Sequence, residues 1–395
     1  MTLRPSFSDS ANGAAHDPNQ PLALLGGLTP QQFMKRYWHK KPLLVRQAVP
    51  QMQPLLSRAE LFGLAGQESV ESRLLVRKGE QDWALKQGPF QKRQLPPVSQ
   101  AAWTLLVQGV DLHHDAVHQL MNRFRFVPDA RLDDLMISWA SDQGGVGPHY
   151  DSYDVFLLQA HGKRHWRIGR QNDLSLIDGL PLKILASFEP EEEWVLEPGD
   201  MLYLPPQWAH DGVALGADCM TYSIGFRAPQ RGALAAELAL RMGEHVEDEQ
   251  LYRDPKQEAV GAPAEMPQGL VAFAEEGMRA LLADRQSLAI SLGEILTEPK
   301  PKVWFEENLS DWTQGAVRLD RKTRMLYDDH HVFINGDSLQ VRGKDAKLLR
   351  DLANQRGLSA AQVGRASPDL QEALSEWFVA GWLHRILPGV APGPT

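Results

Sequence analysis

From about Leu135 to Ala228 the chain breaks into short runs rich in aromatic and β-branched residues, separated by Gly and Pro: LMISWAS, HYDSYDVFLLQ, KRHWRI, EEEWVL, DMLYLP and MTYSIGF. No other feature constrains the fold as much. Runs this short bury their apolar atoms only by pairing side by side, with alternate residues turned to a shared core. The pattern predicts an antiparallel β-sandwich or barrel.

The flanking segments read differently. Residues 1–20 lack the basic start and apolar run of a secretory signal and are expected to form a disordered leader. In LTPQQFMKRYWHKKPLLV, Thr29 caps a helix with Pro30 in its first turn, and Phe33, Tyr37 and Trp38 share a face. Lys35, Arg36, Lys40 and Lys41 read as its solvated end. This first zone, 21–228, is followed by a helical zone, 229–311. It is acidic, with 7 Lys and Arg against 13 Asp and Glu between Pro229 and Lys300. Val271, Ala274, Met278 and Leu281 form an apolar stripe there, which either packs on the barrel or makes a homodimer. In the third zone, 312–395, Asn335-Gly336 between strand-like runs signals a hairpin. KDAKLLRDLANQRG is a helix ending at Gly357, and LSAAQV and PDLQEALSEWFVAGWLHRIL are further helical pieces. This order resembles a winged helix, so the class is α+β.

Composition excludes several functions. Cys219 is the only cysteine, so neither an internal disulfide nor a cysteine zinc site can form, which suits the cytoplasm. No apolar run is long enough to span a bilayer. The net charge of −9 argues against general nucleic-acid affinity.

Chemistry concentrates in GPHYDSYDVFLLQAHGKRHW, residues 147–166. Along a strand His149 and Asp151 share a face with Tyr153, Val155, Leu157 and Gln159. An ionised Asp on an apolar face is costly unless it is paired or holds a metal. LEPGDMLYLPPQWAHDG supplies His210, 59 positions after Asp151. A strand pair returning to the same end of the barrel would complete two imidazoles and one carboxylate, the facial triad of Fe(II) oxygenases. The open positions then admit dioxygen and a chelating 2-oxo acid. If that acid is 2-oxoglutarate, its far carboxylate needs a fixed cation. A hairpin centred on His161-Gly162 sets Gln159 opposite Arg164 and turns Arg164 inward. A slip of one residue would nominate Lys163 instead. His113, His114 and His118 in DLHHDAVHQL, and His330-His331, are read as surface histidines.

Together, H149-x-D151, H210, the basic residue after the first motif and LEPGDMLYLPPQWAH resemble the JmjC (cupin-fold) 2-oxoglutarate oxygenases. FMKRYWHKKPLLV, GGVGPHYDSYDVFLLQ, KRHWRIG and YSIGFRAP are similar to the bacterial ribosomal oxygenases within them. The resemblance implies a double-stranded β-helix barrel, a helical dimerisation region and a C-terminal winged-helix-like domain. It implies iron on His149, Asp151 and His210, 2-oxoglutarate on Arg164, and a hydroxyl from Ser223 at the cosubstrate. The implied reaction hydroxylates an arginine of large-subunit ribosomal protein L sixteen. The same chemistry on a histidine or another protein, and a metal cupin that is not an oxygenase, are the alternatives. An arginine substrate calls for carboxylates or rings at the mouth, for which Asp142, Tyr150, Tyr153 and Asp154 are candidates.

Overall fold

The computed structural model describes residues 16–79, 82–244, 246 and 248–386. The expected leader lies outside them up to residue 15. Contacts divide the chain into two units: residues 1–228, 300–322 and 351–395 in one, 229–299 and 323–350 in the other.

In the first unit the strand-like runs pair as expected. The strands are β1 (Leu43–Val45), β2 (Ser72–Arg77), β3 (Trp83–Gln87), β4 (Trp103–Val107), β5 (Leu132–Ala140), β6 (Val155–Gly169), β7 (Glu192–Leu196), β8 (Met201–Leu204) and β9 (Ala209–Phe226). Among the described residues they form one antiparallel sheet in the order β1-β8-β6-β9-β5-β4-β2-β3, with β7 also on β6. The two faces separate by alternation. Phe156, Leu158, Tyr203, Tyr222 and Trp139 enter a large core that includes Phe33 of α1 (Pro30–Arg36) and Leu61 of α2 (Arg58–Leu64). Their neighbours Val155, Leu157, Leu202 and Leu204 join Trp166, Ile168 and Leu196 in a second cluster. Thr29 caps α1 as expected, in a reciprocal box with Gln32. A short helix, α3 (Asp115–Asn122), precedes β5.

Two details differ from the expectation and bear on the site. HYDSYDVFLLQ is a strand only from Val155, because residues 150–154 are a loop. The hairpin at His161-Gly162 does not form either. β6 runs on as one strand, with Gln159 opposite Thr221 and Arg164 opposite Ala214 of β9. Register shifts at Gln159/His161 and His161/Lys163 bend it, and Gly162 adopts φ +64°. Extra residues at such bulges change which face the following side chains occupy. Gln159 is therefore buried before the bend, and Arg164, Trp166 and Ile168 after it.

Beyond residue 228 come α4 (Arg231–Gly243), α5 (Gln268–Ala283), α6 (Arg285–Thr297), β10 (Val317–Leu319), β11 (Met325–Tyr327), β12 (His331–Ile334), β13 (Asp337–Gln340), α7 (Gly343–Gln355), β14 (Gly357–Leu358), α8 (Ala360–Val363), α9 (Pro368–Val379) and β15 (Leu383–Arg385). In the second unit β11, β12 and β13 form a sheet, with Asn335 (φ +51°) and Gly336 (φ +97°) as the hairpin turn. His331, read as solvent-facing, is buried. In the first unit β10 pairs with β14 and β15. The last piece is thus not wholly helical: α9 stops at Val379, and Leu383–Arg385 pairs with Leu319–Val317.

Candidate active site

His149 belongs to no strand. It makes one bridge to the start of β9: its N–H donates to the His210 carbonyl at 3.0 Å, and the His210 N–H donates back at 2.8 Å. The loop then turns, and the Gln207 N–H fixes the Asp151 carbonyl at 2.8 Å. A bridge and a pinned loop, rather than alternation along a strand, therefore bring the first two residues together.

One ligand atom each from His149, Asp151 and His210 lies within 4.8 Å of the others. Asp151 Oδ2 is 3.6 Å from His210 Nε2, and the imidazole centroids are 4.2 Å apart. His149 Nδ1 lies 2.8 Å from the Gly147 carbonyl, and His210 Nδ1 lies 2.9 Å from the Trp208 carbonyl. A carbonyl only accepts, so each Nδ1 carries the proton and each Nε2 keeps a lone pair for a metal. Burial, and then the neighbouring His149, pushes the His210 pKa down to about 4. The ring is neutral at neutral pH, as a ligand must be.

Arg164 is 3% exposed. Its Nη1 donates to the Gly212 carbonyl at 3.2 Å, while Nε and Nη2 have no hydrogen-bond partner among the described residues. These two nitrogens form one edge of the guanidinium, the edge that grips a carboxylate with two parallel bonds. A buried cation with that edge idle is expensive unless an anion completes it. The donor set thus fits both groups: two neutral imidazoles and a carboxylate for Fe(II), and a buried fork for the far end of a dicarboxylate. Lys163, the alternative under a register slip, is exposed and pairs with Glu197 at 2.6 Å. Ser223 pairs with Leu157 and with Met136. Directly opposed residues share a face, so Ser223 lies on the side of Leu157 and Trp166.

The proposed mouth residues divide. Tyr153 is 38% exposed, with the Asp151 carboxylate close enough to act on its phenol. Desolvation and that carboxylate raise its pKa, so it stays a protonated donor. Tyr150 is half-buried, as is Asp142, whose Oδ1 accepts from the Gly216 N–H at 2.8 Å. Asp154 must be corrected: it is fully buried, where no protein substrate reaches. Its carboxylate takes the Tyr203 hydroxyl at 2.6 Å and lies 3.1 Å from His39 Nε2 and 3.6 Å from Arg131. It ties β8 to the loop before β6. His113 and His118 are also half-buried rather than exposed; burial pushes His113 down to about 4 and holds His118 well below its ordinary value. Sequence reasoning missed Gly147, Trp208 and Gly212, whose carbonyls orient the triad and the fork, because a carbonyl leaves no signature in residue type.

The pattern of the JmjC domain matches residues 119–234, and that of the ROXA-like winged helix matches residues 280–384. The chain is 34% identical over 352 residues to the ribosomal protein uL16 3-hydroxylase of Escherichia coli, covering 85% of this chain and 92% of that one. It is 36% identical over 206 residues to a probable ribosomal oxygenase of Haemophilus influenzae, covering 51% of this chain and 50% of that one. A solved structure of E. coli YcfD, a ribosomal oxygenase, in complex with cobalt and 2-oxoglutarate superposes with TM-score 0.78 and 29% identity, over 90% of this chain and 98% of that one. A further X-ray structure of YcfD reaches TM-score 0.81 over the same shares. With its paired JmjC and winged-helix segments and this end-to-end likeness, the chain belongs to the JmjC-domain ribosomal oxygenase family.

Proposed function

We propose that the protein is an Fe(II)- and 2-oxoglutarate-dependent oxygenase that hydroxylates an arginine side chain of ribosomal protein uL16, acting in the cytoplasm where that protein is made. The observation that carries this is the pairing of a converged His149, Asp151, His210 set with the idle buried edge of Arg164, in a chain aligned nearly end to end with a uL16 3-hydroxylase. The sheet of the first unit would close as the double-stranded β-helix barrel of the cupin fold.

When bound, iron and 2-oxoglutarate supply the oxidising power to place one oxygen atom of dioxygen on a C–H bond, with the oxo acid leaving as succinate and CO₂. The chain's own residues do the positioning. The Gly147 and Trp208 carbonyls hold both imidazoles in the ligating tautomer. Tyr153, protonated beside Asp151, would donate to that carboxylate and steady the third ligand. Arg164 fixes the cosubstrate's far carboxylate, with Ser223 on the same side. Leu157, Trp166 and Leu202 wall the site against water. Asp142, Tyr150 and Tyr153 are left to meet a cationic substrate side chain.

Full-length protein given Fe(II), 2-oxoglutarate and uL16 is expected to form succinate and to add the mass of one oxygen to a uL16 arginine. Asp151→Ala is expected to lose both. Mass spectrometry of uL16 showing no such gain with the active protein rejects the reading.

The helical region is proposed to make a homodimer. On α5, Leu270, Met278 and Leu282 are 41%, 50% and 52% exposed in the single chain, and Met266, Val271 and Ala274 extend the patch. An apolar helix face left in water marks an interface.

A further inference from the structure

On one side of the β6/β9 ladder, Arg164, Trp166 and Ile168 face Ala214, Gly212 and His210 in turn. Trp166 therefore stands between the carboxylate fork and a metal ligand. Its ring centroid is 5.9 Å from that of His210, and the Arg164 guanidinium carbon lies 5.7 Å from the indole. Its position depends on the residue opposite. A Cβ at Gly212 would come within 2.6 to 2.8 Å of three atoms of the six-membered ring. Only glycine lets the indole lie across the ladder, and the same Gly212 supplies the carbonyl that holds Arg164 Nη1.

Trp166 is 5% exposed, and its Nε1 has no hydrogen-bond partner among the described residues. A buried indole N–H normally finds an acceptor. Two buried side chains in succession on one face, Arg164 and Trp166, thus present donors that the described residues leave unanswered. A dicarboxylate spanning from the triad to Arg164 would run along the side that carries Trp166 and would bring acceptor oxygens with no donors of its own.

We propose that Trp166 is a second positioning residue for the 2-oxo acid, donating its indole N–H to a cosubstrate oxygen alongside the Arg164 fork. Gly212 is the residue that makes room for it. The inference rests on the oxygenase reading and specifies its cosubstrate slot. Neither residue is a metal ligand, so cosubstrate affinity and metal affinity should separate on substitution.

The test uses the full chain loaded with Mn(II), which binds such ligands without turnover, and titrates 2-oxoglutarate by calorimetry. Trp166→Phe keeps an aromatic ring and removes the donor. It is expected to weaken 2-oxoglutarate binding about tenfold, the usual effect of losing one hydrogen bond to a charged group, with Mn(II) affinity unchanged. Gly212→Ala keeps the donor but displaces the ring and is expected to act in the same direction, which decides the matter if Trp166→Phe does not fold. A change in 2-oxoglutarate affinity of less than about threefold, or an equal loss of Mn(II) affinity, overturns the proposal. If the unsubstituted protein binds Mn(II) but no 2-oxoglutarate, the oxygenase reading itself falls and this inference with it.

Discussion

Single residues separate chemistry from scaffold. Arg164 and Asp154 are both buried charges, one with an idle edge and one enclosed by Tyr203, His39 and Arg131. Arg164→Met should therefore keep the fold and cut 2-oxoglutarate affinity about 100-fold, since a bidentate ionic contact is lost; calorimetry on metal-loaded protein measures this. Asp154→Ala should do the reverse. It leaves the Tyr203 hydroxyl without an acceptor and is expected to lower stability by about 3 kcal/mol, read by denaturant unfolding, while 2-oxoglutarate binding by the folded protein changes little. Residue type alone did not distinguish these two groups. Both are charges in the same strand-like stretch, and only their partners set them apart.

At the scale of elements, β6 is decisive. The inward turn of Arg164 was legible in the sequence for a reason that proved different. A tight hairpin and a bulged continuous strand both exchange the face on which residues alternate, so parity turns Arg164 inward in either case, although the turn itself does not exist. Local sequence does not choose between them, because HGK suits either; the choice belongs to the long partner β9, which pairs with β6 from Val155 to Gly169. Gly162 marks the bend. With φ +64° and a would-be Cβ 3.0 Å from the Asp218 carbonyl oxygen, Gly162→Ala is expected to cost about 1–2 kcal/mol. Chemical denaturation should show it as a lower midpoint with an unchanged slope.

Two properties belong to the whole molecule. The first is its response to pH. Asp111 is buried beside Asp134, and its carboxylate accepts the Leu135 N–H at 2.8 Å. Burial, and then the charge of Asp134, raises its pKa to about 7, with Lys300 opposing. The folded protein thus keeps a proton that the unfolded chain releases near its ordinary value of 3.8. Stability from this group is whole below about pH 4 and falls as the pH rises toward about 7. Asp111→Asn should flatten that fall and exceed the parent at about pH 8 by on the order of 2 kcal/mol; urea midpoints across the range measure it. The second property is self-association. Met278→Glu with Leu282→Glu on α5 is expected to turn a dimer into a monomer by light scattering, and a parent that is already monomeric removes the proposed interface.

The sequence by itself determined the strand-rich first zone, the α1 cap and the Asn335-Gly336 hairpin, and it picked out the imidazoles, carboxylate and cation that the site is proposed to use. Alternation, capping and turn chemistry are local, and His, Asp and Arg are scarce on apolar faces. Only the tertiary structure decided how the pieces converge. His149 and Asp151 meet through a bridge to β9 and a loop held by Gln207, Arg164 turns inward at a bulge, and Asp154 disappears beneath Tyr203. Each outcome depends on a main-chain pairing with residues tens of positions away, where the energy of closing the contact is not encoded in any neighbouring side chain.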